Sequence, residues 1–138
     1  MSEGYSDSVF IKEDSRSNFK DVVAKRPDLL KRDGGRIKYA GAGLVVEYKA
    51  GLALGYATSG ADSGKYKPYN DSNTDGSQTC VGFLEQTTQV DDAGNGSEIV
   101  IMRGGLLLEA MLIGLDANGK ADLGAKSFVE HGVNILSF

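Results

Sequence analysis

The chain has 138 residues, 19 of them glycine, with two prolines, one cysteine and a formal net charge of −4. That is the length of one ordinary domain with a modest core, for which association with further copies would add burial. The acidic balance argues against a protein that grips nucleic acid directly, because neutralising phosphates requires a basic face. The single cysteine, Cys80, excludes an intrachain disulfide and points to synthesis in a reducing compartment.

Met1–Phe10 has neither a basic n-region nor an apolar h-region, so the expectation is a chain made and kept in the cytoplasm. Residues 1–34 are densely charged, with apolar residues in three small groups: Val9, Phe10 and Ile11; Phe19, Val22 and Val23; Leu29 and Leu30. This composition reads as an extended N-terminal arm, with residues 35–138 as the body. Phe19, Val22 and Val23 fall at i, i+3 and i+4, which predicts a short amphipathic helix starting at Ser17 or Asn18 and stopped before Pro27. A helix of about nine residues is marginal alone and would order against a partner surface. Residues 1–43 carry nine Lys or Arg against seven Asp or Glu, and residues 44–138 carry six against twelve, a switch from +2 to −6. The two parts are expected to face different surroundings.

From Arg36 onward, short apolar runs broken by Gly, Asp and Asn predict a β-rich domain. The expected strands are 36–40, 44–48, 52–57, 65–69, 79–84, 98–102, 106–113 and 133–138. Asn70–Gln78 and Gln89–Ser97, rich in Asp, Asn, Gly and Ser, read as surface loops. A helix is expected over Ala121–His131, with Asp122 near its start and Gly132 as the left-handed residue that ends it. Gly104–Leu115, the most apolar stretch, is interrupted by Glu109 and is shorter than the roughly 20 residues a membrane span needs, so no membrane partner is expected.

The centre of the chain holds its most specific patterns. Lys49-Ala-Gly-Leu-Ala-Leu-Gly55 places Gly51 and Gly55 around a short apolar strand. Ser63-Gly-Lys-Tyr-Lys-Pro-Tyr69 puts Gly64 before a strand that alternates Lys65, Lys67 and Tyr69 with Tyr66 and Pro68. Thr74-Asp-Gly-Ser-Gln-Thr-Cys-Val-Gly-Phe-Leu84 contains the turn pair Asp75-Gly76. It then enters a strand expected to show Thr79, Val81 and Phe83 on one face and Cys80 and Leu84 on the other, both covered. These are scaffold features.

In that order and spacing the segment Ala50–Leu84 resembles the head decoration proteins of lambda-like phages, with weaker agreement through Gly105 and at Asn134–Phe138. The resemblance implies a β-rich α+β fold: a small compact β-barrel-like or β-tulip domain with one or two short helices and an extended arm. It also implies a non-enzymatic virion protein on the outer capsid surface. Such a protein binds the major capsid protein as a homotrimer at threefold positions of the expanded head, needs no cofactor, and stabilises the shell against the pressure of packaged DNA. The arm would then be the capsid-binding part, with Val9, Phe10 and Ile11 pairing as an edge strand and Phe19, Val22 and Val23 forming a second anchor. Its mixed charge would steer it to an acidic capsid surface.

Other motifs fail on their details. Gly64-Lys65 has Ser59 where a phosphate loop needs its leading glycine and Tyr66 where it needs Ser or Thr. Asp116–Asp122 has Lys120 and Ala121 where a calcium loop needs an oxygen ligand and glycine, and reads as a polar turn. Asp91-Asp92 lies in a glycine-flanked loop without the burial that tunes an acid or base. Cys80 and the only histidine, His131, read as structural. The alternatives are another phage β-rich structural or glycan-binding module, such as a tail or spike component, and a carrier protein modified at Lys65, which lacks the expected acidic or Met neighbours.

Overall fold

The computed structural model describes residues 29–138. Their elements are β1 (Lys31–Arg36), β2 (Val45–Tyr48), β3 (Ala53–Tyr56), β4 (Tyr66–Pro68), β5 (Cys80–Leu84), β6 (Thr88–Asp91), β7 (Glu98–Gly104) and β8 (Leu106–Leu108). A 3₁₀ turn (Glu109–Met111), α1 (Ala117–Leu123), β9 (Lys126–Glu130) and β10 (Val133–Ser137) complete them. A five-stranded antiparallel sheet in the order β1-β7-β5-β3-β4 forms the centre, joined by a three-stranded sheet, β8-β10-β9, and a ribbon, β2-β6.

The central sheet is covered on both faces because its strands alternate between two apolar clusters. One gathers Leu30, Ala53, Tyr69, Cys80, Phe83, Met102, Leu107 and Leu136, with Leu115 and Leu123 packed against it from α1 and its approach. The other gathers Ile37, Tyr48, Leu54, Tyr66, Leu84, Val90, Ile99 and Ile101 beneath the ribbon. Strand β5 does not divide as its sequence alternation predicts. Leu54 pairs with Gly82 and Gly55 with Cys80, so Val81 is an extra residue in a β-bulge. The bulge puts Cys80 in the cluster of Phe83, and Val81 against that of Leu84.

The β-rich class is observed, but the sheets are open and do not form closed barrels. The edges of the central sheet meet at a parallel bridge from Ile37 to Tyr66, where the Lys38 amide donates to the Tyr66 carbonyl at 2.8 Å. The first body strand runs over Lys31–Arg36, earlier than the expected 36–40, because these residues pair along β7 from Gly104 to Glu98. Lys31–Gly34, grouped with the arm by composition, thus lie in the central sheet. Beyond it, Ile37 is fully buried as a single bridge residue.

Three further expectations are corrected. The helix occupies Ala117–Leu123 because the Asp116 side chain caps it, accepting from the Gly119 amide, and left-handed Gly124 ends it. Lys126–Glu130 instead pairs with β10 through the two-residue turn His131-Gly132, both with positive φ, the geometry that suits hairpin twist. Thr88–Asp91, read mostly as loop, pairs with β2 in register around fully buried Val90. The strand expected over 106–113 stops at Leu108, where the 3₁₀ turn begins; Ile113 then bridges to Leu52. The expected arm helix and the strand at Val9–Ile11 lie outside the described residues.

Candidate functional site

The patterned segment Ala50–Leu84 folds into a tied scaffold. Gly51, at φ +89°, donates to the Leu84 carbonyl at 2.8 Å and accepts from the Ile113 amide at 2.9 Å, joining three parts of the chain at one turn. Gly55 lies inside β3 and serves a different need: a Cβ there would come within 2.6 Å of the Ser77 Cα, so the following loop packs directly on its backbone. Gly64, at φ +86°, turns the β3–β4 connection in open space, whereas Gly76, at φ +110°, faces the Tyr56 carbonyl.

Asp75 is the hub. Its Oδ1 accepts from the Ser77 amide at 3.1 Å and hydroxyl at 2.6 Å, and its Oδ2 accepts from Lys67 Nζ at 2.9 Å. Its carbonyl accepts from the Thr58 amide at 2.7 Å, and Lys67 also lies 3.5 Å from Asp62. The bonds from Ser77, followed by that from Lys67, hold the Asp75 carboxyl well below the usual carboxylate range. The Asp75 bond in turn raises Lys67. Each partner keeps the other charged, the reverse of what a proton-transferring pair needs.

The remaining polar residues serve the scaffold in the same way. Asp91 accepts from Asn95 and Ala93 and so fastens its own turn, whereas Asp92 accepts from the Gly43 amide and ties that turn to the loop before β2. Asp116 also accepts from the Tyr69 hydroxyl at 2.7 Å, and Asp122 from the Cys80 amide at 2.9 Å. Burial pushes the Cys80 thiol up to about 11, which leaves it protonated at neutral pH. Among the described residues no group of three or more His, Cys, Asp or Glu is placed to hold a metal ion, and no helix is long and apolar enough to cross a membrane.

What distinguishes the surface is its charge and its exposed apolar groups. Residues 29–43 carry four Lys or Arg against one Asp, whereas residues 1–28 carry five against six. The basic surplus of the N-terminal third therefore lies on β1 and the turn after it, and the proposed arm itself is nearly balanced. On the three-stranded sheet, the pairing of Phe128 with Ile135 and of Glu130 with Val133 sets Phe128 and Val133 on the same face as Ile135. Phe128 and Val133 are each more than two-fifths exposed. Sequence reading missed this surface because it took β9 for helix, although Gly132 marked the hairpin turn. Val9, Phe10, Ile11, Phe19, Val22 and Val23 lie outside the described residues.

A family model described as bacteriophage lambda head decoration protein D matches residues 16–130. No curated protein and no solved structure matches the chain significantly.

Proposed function

The chain belongs to the bacteriophage lambda head decoration protein D family, and from that premise we propose that it binds the expanded head as homotrimers at threefold positions and clamps the shell against the pressure of packaged DNA. The family places it in the virion as a structural capsid component, and the match over residues 16–130 is the observation that carries the reading. Phe128 and Val133, exposed on a regular sheet face, support a contact between subunits, because an apolar sheet face left open in a small body is where association gains burial.

In this reading Val9, Phe10 and Ile11 add as a strand to the edge of a major capsid protein segment, and Phe19, Val22 and Val23 form the second anchor. The arm expected over residues 1–34 gives up Leu30 and the start of β1 to the body, and the protein is made in the host cytoplasm before assembly. Three arms on one trimer make every contact after the first intramolecular, at an effective concentration on the order of millimolar, so weak single contacts sum to a firm clamp. The turns at Gly51, Gly64 and Asp75-Gly76, together with Gly55 inside β3, keep the body rigid and take no direct part in capsid binding. With residues 1–28 close to neutral and Arg32, Arg36 and Lys38 facing Glu85, Glu98 and Asp62, steering toward an acidic shell contributes little in this reading.

The test is to add purified protein to expanded capsids that lack it and count bound copies by cryo-EM. Saturation of threefold positions, with little binding to unexpanded shells, is expected. Empty threefold positions, or equal binding to both shells, would overturn the proposal.

A further inference from the structure

Between β1 and the β3–β4 hairpin lies an open cleft of about 440 Å³, lined by Gly34, Gly35, Tyr56, Gly64, Tyr66 and Arg103, with Val81 behind. It is the seam where the central sheet fails to close. The Ile37 amide donates to Ser97 on the β7 side, and the next amide, of Lys38, donates to Tyr66 across the seam. Backbone direction alternates along a strand, so Gly34 and Arg36 present their backbone groups to the seam.

Gly34 is the unexplained residue there. Its backbone does not need positive φ, and a Cβ would meet only the Ile99 carbonyl oxygen, at 4.0 Å. Gly35 differs: a Cβ there would strike the Tyr66 ring. Strand glycines mark bulges, bends or places where another chain or ligand approaches the backbone closely. The bulge of β1 lies at Lys31 and Arg32, away from Gly34, which leaves close approach as the reading for Gly34.

The polar groups around Gly34 form an anion seat that the chain fills itself. The Gly34 amide donates to Asp33 Oδ1 at 2.9 Å, and Asp33 Oδ2 lies 3.7 Å from Arg103 Nη1. Arg103 Nη1 also donates to the Tyr66 hydroxyl at 3.1 Å, which orients the guanidinium toward the cleft. The Asp33 and Arg103 side chains are 58% and 41% exposed, so little holds this carboxylate in place. Tyr56 stands edge-on to Tyr66 at 4.9 Å, and its hydroxyl has no partner among the described residues.

We propose that this cleft docks an extended acidic segment of a partner protein, whose carboxylate displaces that of Asp33 from the Gly34 amide and pairs with Arg103. The edge backbone of β1 supplies strand-type hydrogen bonds, Gly34 permits the close approach, and Tyr56 packs on a neighbouring side chain of the segment. Arg103 is the cation among the lining residues: a neutral segment that displaced Asp33 would leave it without its carboxylate, whereas an acidic segment restores the pair.

The test uses the full chain and no capsid, so its outcome is separate from that of the decoration reading. Blocked Val-Asp-Val and Val-Asn-Val peptides, and glucuronic acid, are titrated while amide and guanidinium NMR signals are followed. The Asp peptide should shift Gly34 and Arg103 Nε. Asp33→Ala should bind it about fivefold tighter, the worth of one exposed ion pair no longer displaced. Arg103→Gln should lose binding, and Gly34→Ala should weaken binding without lowering Tm. An equal response to the Asn peptide, tighter binding of glucuronic acid than of the Asp peptide, or no gain in Asp33→Ala would overturn the proposal.

Discussion

Residues 70–78 read NDSNTDGSQ and β1 reads KRDGGR; both are polar and glycine-bearing, with no apolar period, yet they fold to opposite ends. The first segment turns its polar groups inward: Asp75, Ser77 and Asn73 bond one another and the neighbouring hairpin, and Ser77 is fully buried. The second becomes a sheet strand whose side chains remain in solvent. Its order comes from the backbone ladder to β7 and from Arg32, which donates to the buried Glu85 carboxylate at 3.1 Å. Polar composition therefore does not tell a loop from a strand; what matters is whether a neighbouring strand offers its backbone.

Two truncations test the strand half of that comparison, with the largest effect. Removing residues 1–28 should leave Tm unchanged and weaken capsid binding. Removing residues 1–34 also deletes Leu30 from the core and leaves Glu85 buried without Arg32. Loss of the buried Leu30 side chain, of four residues of the β1 ladder and of the half-exposed Arg32 that partners buried Glu85 should together cost about 3 kcal/mol or more, read as a large fall in denaturation midpoint. Equal stability of the two truncations would show that β1 adds nothing to the body.

The loop half is tested from beneath. Gly55→Ala places a methyl against the Ser77 backbone, which cannot yield as a flexible side chain would. The expected loss is about 1–3 kcal/mol, measured by urea denaturation. A neutral outcome would mean that the loop moves away freely and is not tied to β3.

The contrast also explains what was legible. Strands with paired apolar residues, such as Ala53–Tyr56 and Cys80–Leu84, announced themselves, because their side chains fill a core on each face. Strand β1 did not, since its side chains are solvated and its partner is β7, more than sixty residues away. Strand β9 read as helix because neither face of its sequence is fully buried, leaving no period to read. The bulge at Val81 was invisible for another reason: it depends on the register of β3 on β5, which shifts between Leu54 and Gly55, and a shift of one residue exchanges the two cores. The Arg103 cleft had no linear signal, since Asp33, Tyr56, Tyr66 and Arg103 come from four strands.

The smallest effect is assigned to its cause by varying pH. Asp75 titrates below its ordinary value, first through its bond from the Ser77 hydroxyl and next through Lys67, so its contribution to stability is complete above the unfolded value near 3.8 and drains away as pH falls toward the folded one. Lys67, raised by the same bond, adds stability that is complete below its unfolded value near 10.5 and is lost as pH rises through the folded value. Asp91 and Asp116 are also lowered, by bonds from Asn95 and from Tyr69, so part of the acid dependence belongs to them. In Asp75→Asn, Tm should therefore fall near pH 7, fall less steeply than in the parent below pH 4, and approach the parent at the acid end. Parallel curves at all pH values would mean that the Asp75 charge does not hold the loop, and that the contacts of Ser77 on Gly55 suffice.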